Sequence, residues 1–133
     1  GGRLRQSFFD NLPALKVLKD RVARAAKRGY LKGLDGRKLF VRSEHAALNT
    51  LLQGAGAIVM KKALVLLNDK MSGMDAHFVA NVHDEWQIEA LEDVSQRVGE
   101  LGVEAIEQAG LEFNLRCSLT GEYQIGDSWS ETH

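Results

Sequence analysis

The stretch HFVANVHDEWQIEAL, His77 to Leu91, decides how this chain folds. Phe78 to Val82 and Trp86 to Leu91 are runs of strand-forming residues, with His83, Asp84 and Glu85 at their junction. Two such runs so close together read as an antiparallel hairpin with a tight turn. A turn on a rigid pair of strands fixes a side chain while leaving it open to a ligand, which makes Asp84 and Glu85 candidate functional carboxylates. Neighbouring strand residues face opposite sides of a sheet, so the two are not expected to chelate one ion together. A carboxylate that shares its ion with water and phosphate oxygens suits Mg²⁺, which is seldom caged by protein alone. Without further context, three polar residues in a hairpin turn are ordinarily just solvated.

Upstream of the connector SGMDA, residues 72–76, the segment from Glu44 to about residue 71 has no proline. Ser43 opens it, and Ala47, Leu51, Ala55, Ile58 and Leu66 line one face, so a long helix is predicted. Gly54 and Gly56 weaken that helix and leave room either for plain helix packing or for the close approach of a ligand. Before it, YLKGLDGRKLFVR (residues 30–42) places Asp35-Gly36 between two apolar runs and reads as a second hairpin. Asp10 or Asn11 is expected to cap a first helix with Pro13 in its opening turn, carrying Leu15, Leu18, Val22 and Ala25 and ending at Gly29. Downstream, residues 93–109 are amphipathic at helical spacing, and Leu111 to Leu119 alternates as a further strand. The expectation is one α+β unit over residues 1–133: a small antiparallel sheet, with a metal-site hairpin, packed against helices.

At 133 residues, 44% hydrophobic and 26% charged, the composition is that of an ordinary globular protein with a single core. No run is expected to reach the roughly 20 apolar residues that cross a bilayer, so no membrane association is expected. Cys117 is the only cysteine, which excludes an intrachain disulfide and fits a reducing, cytoplasmic setting. The opening Gly1-Gly2-Arg3 without methionine suggests a piece of something longer. Residues 1–42 hold twelve Lys and Arg against Asp10, Asp20 and Asp35, a net of +9 that leaves −10 for the rest. One end of the chain is thus suited to phosphates.

The ordered combination of RGYLKGLDGRKLFVRSEHAALNTLLQGAGAIVMKKAL (residues 28–64), VHDEWQIE (residues 82–89) and the ending GDSWSETH resembles the C-terminal palm of family A DNA polymerases, the DNA polymerase I class, and its phage replicative branch most of all. The resemblance runs from about Arg3 to His133. It implies two-metal nucleotidyl transfer with Mg²⁺ on primer-template DNA and a dNTP, in the cytoplasm of a phage-infected or prophage-bearing bacterial cell. Asp84 matches the family's motif C metal ligand, and Glu85 its less critical neighbour near the primer terminus. His83 matches a histidine that approaches the primer-side minor groove, and Asn49 and Gln53 match helix residues that contact DNA near the growing end. Four residues apart, those two amides share a helix face. His45 stands where many bacterial members have arginine. Arg37, Lys38 and Arg42 can reach phosphate, giving affinity without sequence preference.

The family's second metal-ligand aspartate, in a motif of the kind Asp-Tyr-Ser-Gln-x-Glu, is absent from this sequence. DVSQRV, Asp93 to Val98, imitates its letters but follows motif C and should begin a helix. The nucleotide-binding helix is also missing, and Lys27 and Arg28 before Gly29-Tyr30 do not reproduce it. Neither fingers nor thumb precedes the palm piece. The chain alone is therefore expected to be inactive, and the missing strand to leave an open sheet edge through which copies associate. The alternative is a split or degenerate non-catalytic module that binds DNA or a partner polypeptide through its basic N-terminal region.

Overall fold

The computed structural model describes residues 2–132, so His133, the last residue of the terminal motif, lies outside the described residues. The chain is α+β, with small antiparallel sheets among its helices, in the order α1 (Gly2–Asn11), α2 (Pro13–Ala26), β1 (Tyr30–Lys32), β2 (Lys38–Phe40), α3 (Ala47–Lys70), β3 (Ala76–Val82), β4 (Glu85–Ala90) and α4 (Glu92–Glu112). Short 3₁₀ turns at Glu44–Ala46 and Trp129–Glu131 complete it. Packing divides the chain into two units, residues 2–55 and 56–132, where the sequence suggested one core. The reason is that the apolar residues gather in separate clusters, and α3 supplies both units in turn.

In the first unit, α2 is a true helix, but Asp10 and Asn11 do not cap it: they close α1, where Asp10 accepts a bond from Gln6 at 3.0 Å. Pro13 drives the break, because the residue before a proline is pushed out of the helical region. Leu12 accordingly sits at φ −126°, ψ 68° and makes no side-chain cap bond. Gly29 ends the α2 turn at φ +81°, a conformation glycine adopts without a steric cost. β1 and β2 pair antiparallel with Leu31 opposite Leu39. Leu31 packs with Val22, Ala26 and Ala47 in the unit's core. The Ser43 hydroxyl caps the 3₁₀ turn by accepting from the Ala46 amide at 3.3 Å. A Cβ at Gly54 would stand 2.9 Å from Leu39 Cδ1, so that glycine serves packing against the hairpin, whereas Gly56 faces open space.

In the second unit, α4 lays Val98, Leu101, Ala105 and Ala109 along one buried face. Lys62 pairs with Glu112 at 2.8 Å and Lys70 with Glu104 at 3.8 Å. Moving eight residues forward on α3 moves eight back on α4, so the two helices run antiparallel. Between those pairs, Ala63, Leu67 and Ala105 are fully buried. By length and composition Glu44–Lys70 does satisfy the requirement for a membrane span, contrary to the sequence reading. Its Ala47, Val59, Ala63 and Leu67 are committed to the packing clusters described here.

The strand expected over residues 111–119 does not form. α4 runs to Glu112 and is closed by Asn114 at φ +52°, after which residues 115–128 form no helix or strand. It turns back along α4 instead: Leu119 lies against Gly110, Gly121 against Ile106, and Tyr123 against Gly99. The alternation of apolar residues reflects contacts with a helix, and no partner strand meets it among the described residues.

Candidate active site

β3 and β4 pair from Ala76↔Ala90 to Val82↔Glu85, which leaves His83 and Asp84 as a two-residue loop. Such loops need positive φ at one or both positions to match the twist of the strands. His83 supplies it at φ +55°, and Asp84 does not, the sign pattern of a type II′ turn. Left-handed backbone at a non-glycine residue is strained by about 1–3 kcal/mol and tends to occur where function requires it. Asp84 is thereby held at the exposed tip of the ribbon.

The ribbon is anchored on its other face. Phe78, Trp86, Ile88 and Ala90 pack against the cluster around Leu67 and Leu101, and the Phe78 and Trp86 rings meet edge to face at 6.2 Å. Val79 is the extra residue where the register shifts between Phe78 and Ala80, and it is 65% exposed. Glu85 shares a strand face with Gln87, whose side-chain amide donates to the Glu85 carboxylate. This partner was not foreseen, although the two-residue spacing on a strand was available to find it. The two carboxylates therefore differ: Glu85 is half-buried and held by Gln87, while Asp84 is exposed, with no hydrogen-bond partner among the described residues. A lone exposed carboxylate fits a hard cation that takes most of its oxygens from water and phosphate. No cluster of three or more metal-ligating side chains occurs among the described residues.

The other candidate residues lie in the first unit. Asn49 and Gln53 are exposed one turn apart on α3, and His45 is exposed in the 3₁₀ turn before it. At the β1–β2 turn the Asp35 carboxylate accepts from the Arg37 amide at 3.1 Å and from the Arg37 guanidinium. Those bonds, the backbone one foremost, hold the Asp35 carboxyl below its ordinary range. Arg37 is thus partly occupied, Lys38 lies 4.7 Å from the centre of the Tyr30 ring, and Arg42 is exposed just after β2.

An aspartate held exposed at the tip of a β-ribbon is placed to share a metal ion with ligands from outside the chain. The family model described as DNA polymerase family A matches residues 2–131, and the chain belongs to that family. It is 36% identical to the DNA-directed DNA polymerase of Escherichia phage T7, covering 100% of this chain and 22% of that protein. To the DNA-directed DNA polymerase of Escherichia phage Phieco32 it is 37% identical, covering 100% of this chain and 23% of that one. The chain therefore spans about a fifth of the length of the curated relatives it matches. Among solved structures it is similar to the POL domain of Pol1 from M. smegmatis, in a complex with DNA primer-template and dNTP, with a TM-score of 0.71 and 25% identity over 79% of this chain and 21% of that one.

Proposed function

We propose that the chain is the C-terminal palm portion of a DNA-directed DNA polymerase, and that Asp84 is its metal-ligand carboxylate in template-directed nucleotidyl transfer. The observation that carries this reading is the strained two-residue turn that holds Asp84 exposed and unpaired while Glu85 is held by Gln87. Asp84 is the residue that would hold magnesium. When bound, the two ions of such a site activate the primer 3′-hydroxyl and stabilise the charge on the phosphates. Glu85 stands beside the primer terminus. His83 faces the primer side of the minor groove, and the Asn49 and Gln53 amides donate to acceptors that every base pair presents there, testing pair geometry instead of sequence. Arg37 and Arg42 contact phosphate, and His45 contributes more weakly than an arginine would. The work is done on primer-template DNA and dNTP in the cytoplasm of a phage-infected or prophage-bearing bacterium.

The chain alone lacks a second metal-ligand carboxylate and extends no primer. The decisive test places this chain in the corresponding fifth of the phage T7 polymerase. The chimera is expected to extend a primer, and Asp84→Asn to lower extension on the order of a thousandfold, the several kcal/mol that a metal ligand supplies. An Asp84→Asn chimera that extends normally would refute the assignment. Extension by the 133-residue chain on its own, abolished by Asp84→Ala, would refute its inactivity.

A further inference from the structure

The solvent face of the β1–β2 hairpin breaks two rules of strand chemistry at once. Pairing sets Tyr30 opposite Phe40 and Lys32 opposite Lys38, so all four share one face while Leu31 and Leu39 turn to the other. Two lysines directly across from each other repel and destabilise the pair. Phe40, beside them, is 80% exposed, a large ring presented to water. Both choices cost stability, and such local violations are expected where function is served.

Around this face the charge is of one sign. The Arg28 guanidinium lies 5.6 Å and the Lys38 ammonium 4.7 Å from the centre of the Tyr30 ring. Arg21 and Arg24 on α2 and Arg28 in the turn after it line a shallow depression with Ala25. Among the described residues Arg21, Arg28, Lys32 and Lys38 have no carboxylate partner, and the single acid of the hairpin, Asp35, is taken by Arg37.

We propose that this face binds single-stranded nucleic acid, with Phe40 stacking on a base and Arg28, Lys32 and Lys38 meeting its phosphates. An exposed ring flanked by cations is how proteins hold unpaired strands without reading their sequence. A duplex hides its base faces and would leave Phe40 without a role. An acidic peptide would satisfy the cations but not the ring. The proposal uses no contact with Asp84 and stands whether or not Asp84 binds metal.

The test is fluorescence anisotropy of a labelled 20-nucleotide oligothymidylate with the 133-residue chain over a range of salt concentrations. Phe40→Ala is expected to weaken binding about tenfold, and Phe40→Trp to retain it. Lys32→Ala with Lys38→Ala should flatten the slope of log affinity against log salt by about 1.4, two phosphates' worth for a single strand. A 20-base-pair duplex and a polyglutamate peptide serve as competitors, and Phe40→Ala should leave the affinity of both unchanged. The proposal is overturned if the wild-type chain binds no oligothymidylate at low salt, or if Phe40→Ala keeps full affinity. It is equally overturned if duplex or polyglutamate loses as much affinity as the single strand does. Phe40 and both lysines are exposed and cost stability where they stand, so their substitution should not lower the thermal transition, which circular dichroism checks.

Discussion

His83 takes the left-handed backbone so that Asp84, its neighbour, need not. The strain sits on one residue and the presented carboxylate on the next. A β-branched residue tolerates that region worst, so His83→Val should lower stability by about 1–2 kcal/mol, while His83→Gly should not lower it. Urea midpoints of the two variants test this, and a His83→Val chain as stable as the parent would contradict the geometry.

Two carboxyls tie stability to acid. Asp35 is held below its ordinary value of 3.8, mainly by the Arg37 amide, and Glu112 below 4.5, mainly by its bond from Lys62. A lowered folded pKa means the unfolded chain binds protons first. The stabilisation is therefore complete above those ordinary values and is lost as the pH falls below them. Asp35→Asn and Glu112→Gln should each flatten the acid limb of a melting-temperature profile below about pH 4.5 and leave it unchanged in shape near neutrality.

Gly54 and Gly56 separate two meanings of a helical glycine. Gly56 faces open space, and Gly56→Ala should raise stability by about 0.8–1 kcal/mol, the difference in helix propensity. At Gly54 the same change meets Leu39 at 2.9 Å and should gain less or lose. Equal gains in denaturant midpoint at both positions would show that Leu39 does not press on the helix.

Gly99 lies under the Tyr123 ring, where a Cβ would come within 2.3 Å of Cδ2. Gly99→Ala should cost about 1–3 kcal/mol through overpacking. In a Tyr123→Ala background it should instead stabilise by about 1 kcal/mol. A double-mutant cycle measures the difference, and additive effects would disprove the contact.

The β3–β4 ribbon has two strands, and no third strand borders it among the described residues. Unpaired strand edges invite addition of another strand, so the 133-residue chain should self-associate as its concentration rises. Light scattering after size exclusion reads this directly, and a strictly monomeric species at high concentration would refute it.

Both hairpins and the long central helix were legible in the sequence because each pairs a clear periodicity with a turn or cap, as at Asp35-Gly36 and Ser43. What escaped depended on contacts far along the chain. Asp10 and Asn11 have the chemistry of caps, and only the presence of α1 before them, running to Asn11, shows that they end a helix instead of starting one. Leu111 to Leu119 alternates like a strand, yet its first residues still belong to α4 and Leu119 packs back on that helix, which no local pattern reports. At the candidate site the turn was readable, but Glu85 pairs with Val82 in β4 and does not sit in the loop, and the unequal situations of Asp84 and Glu85 rest on Gln87 and on the backbone of His83.

The segment that folds back over α4 is held by side chains alone. Among the described residues no amide from 116 to 126 donates to a backbone carbonyl. Its amides should therefore trade their hydrogens with deuterated water at nearly unprotected rates, although Leu119 and Tyr123 stay in place against their glycines. In a deuterium-uptake experiment this stretch would look unfolded while its position in space is fixed.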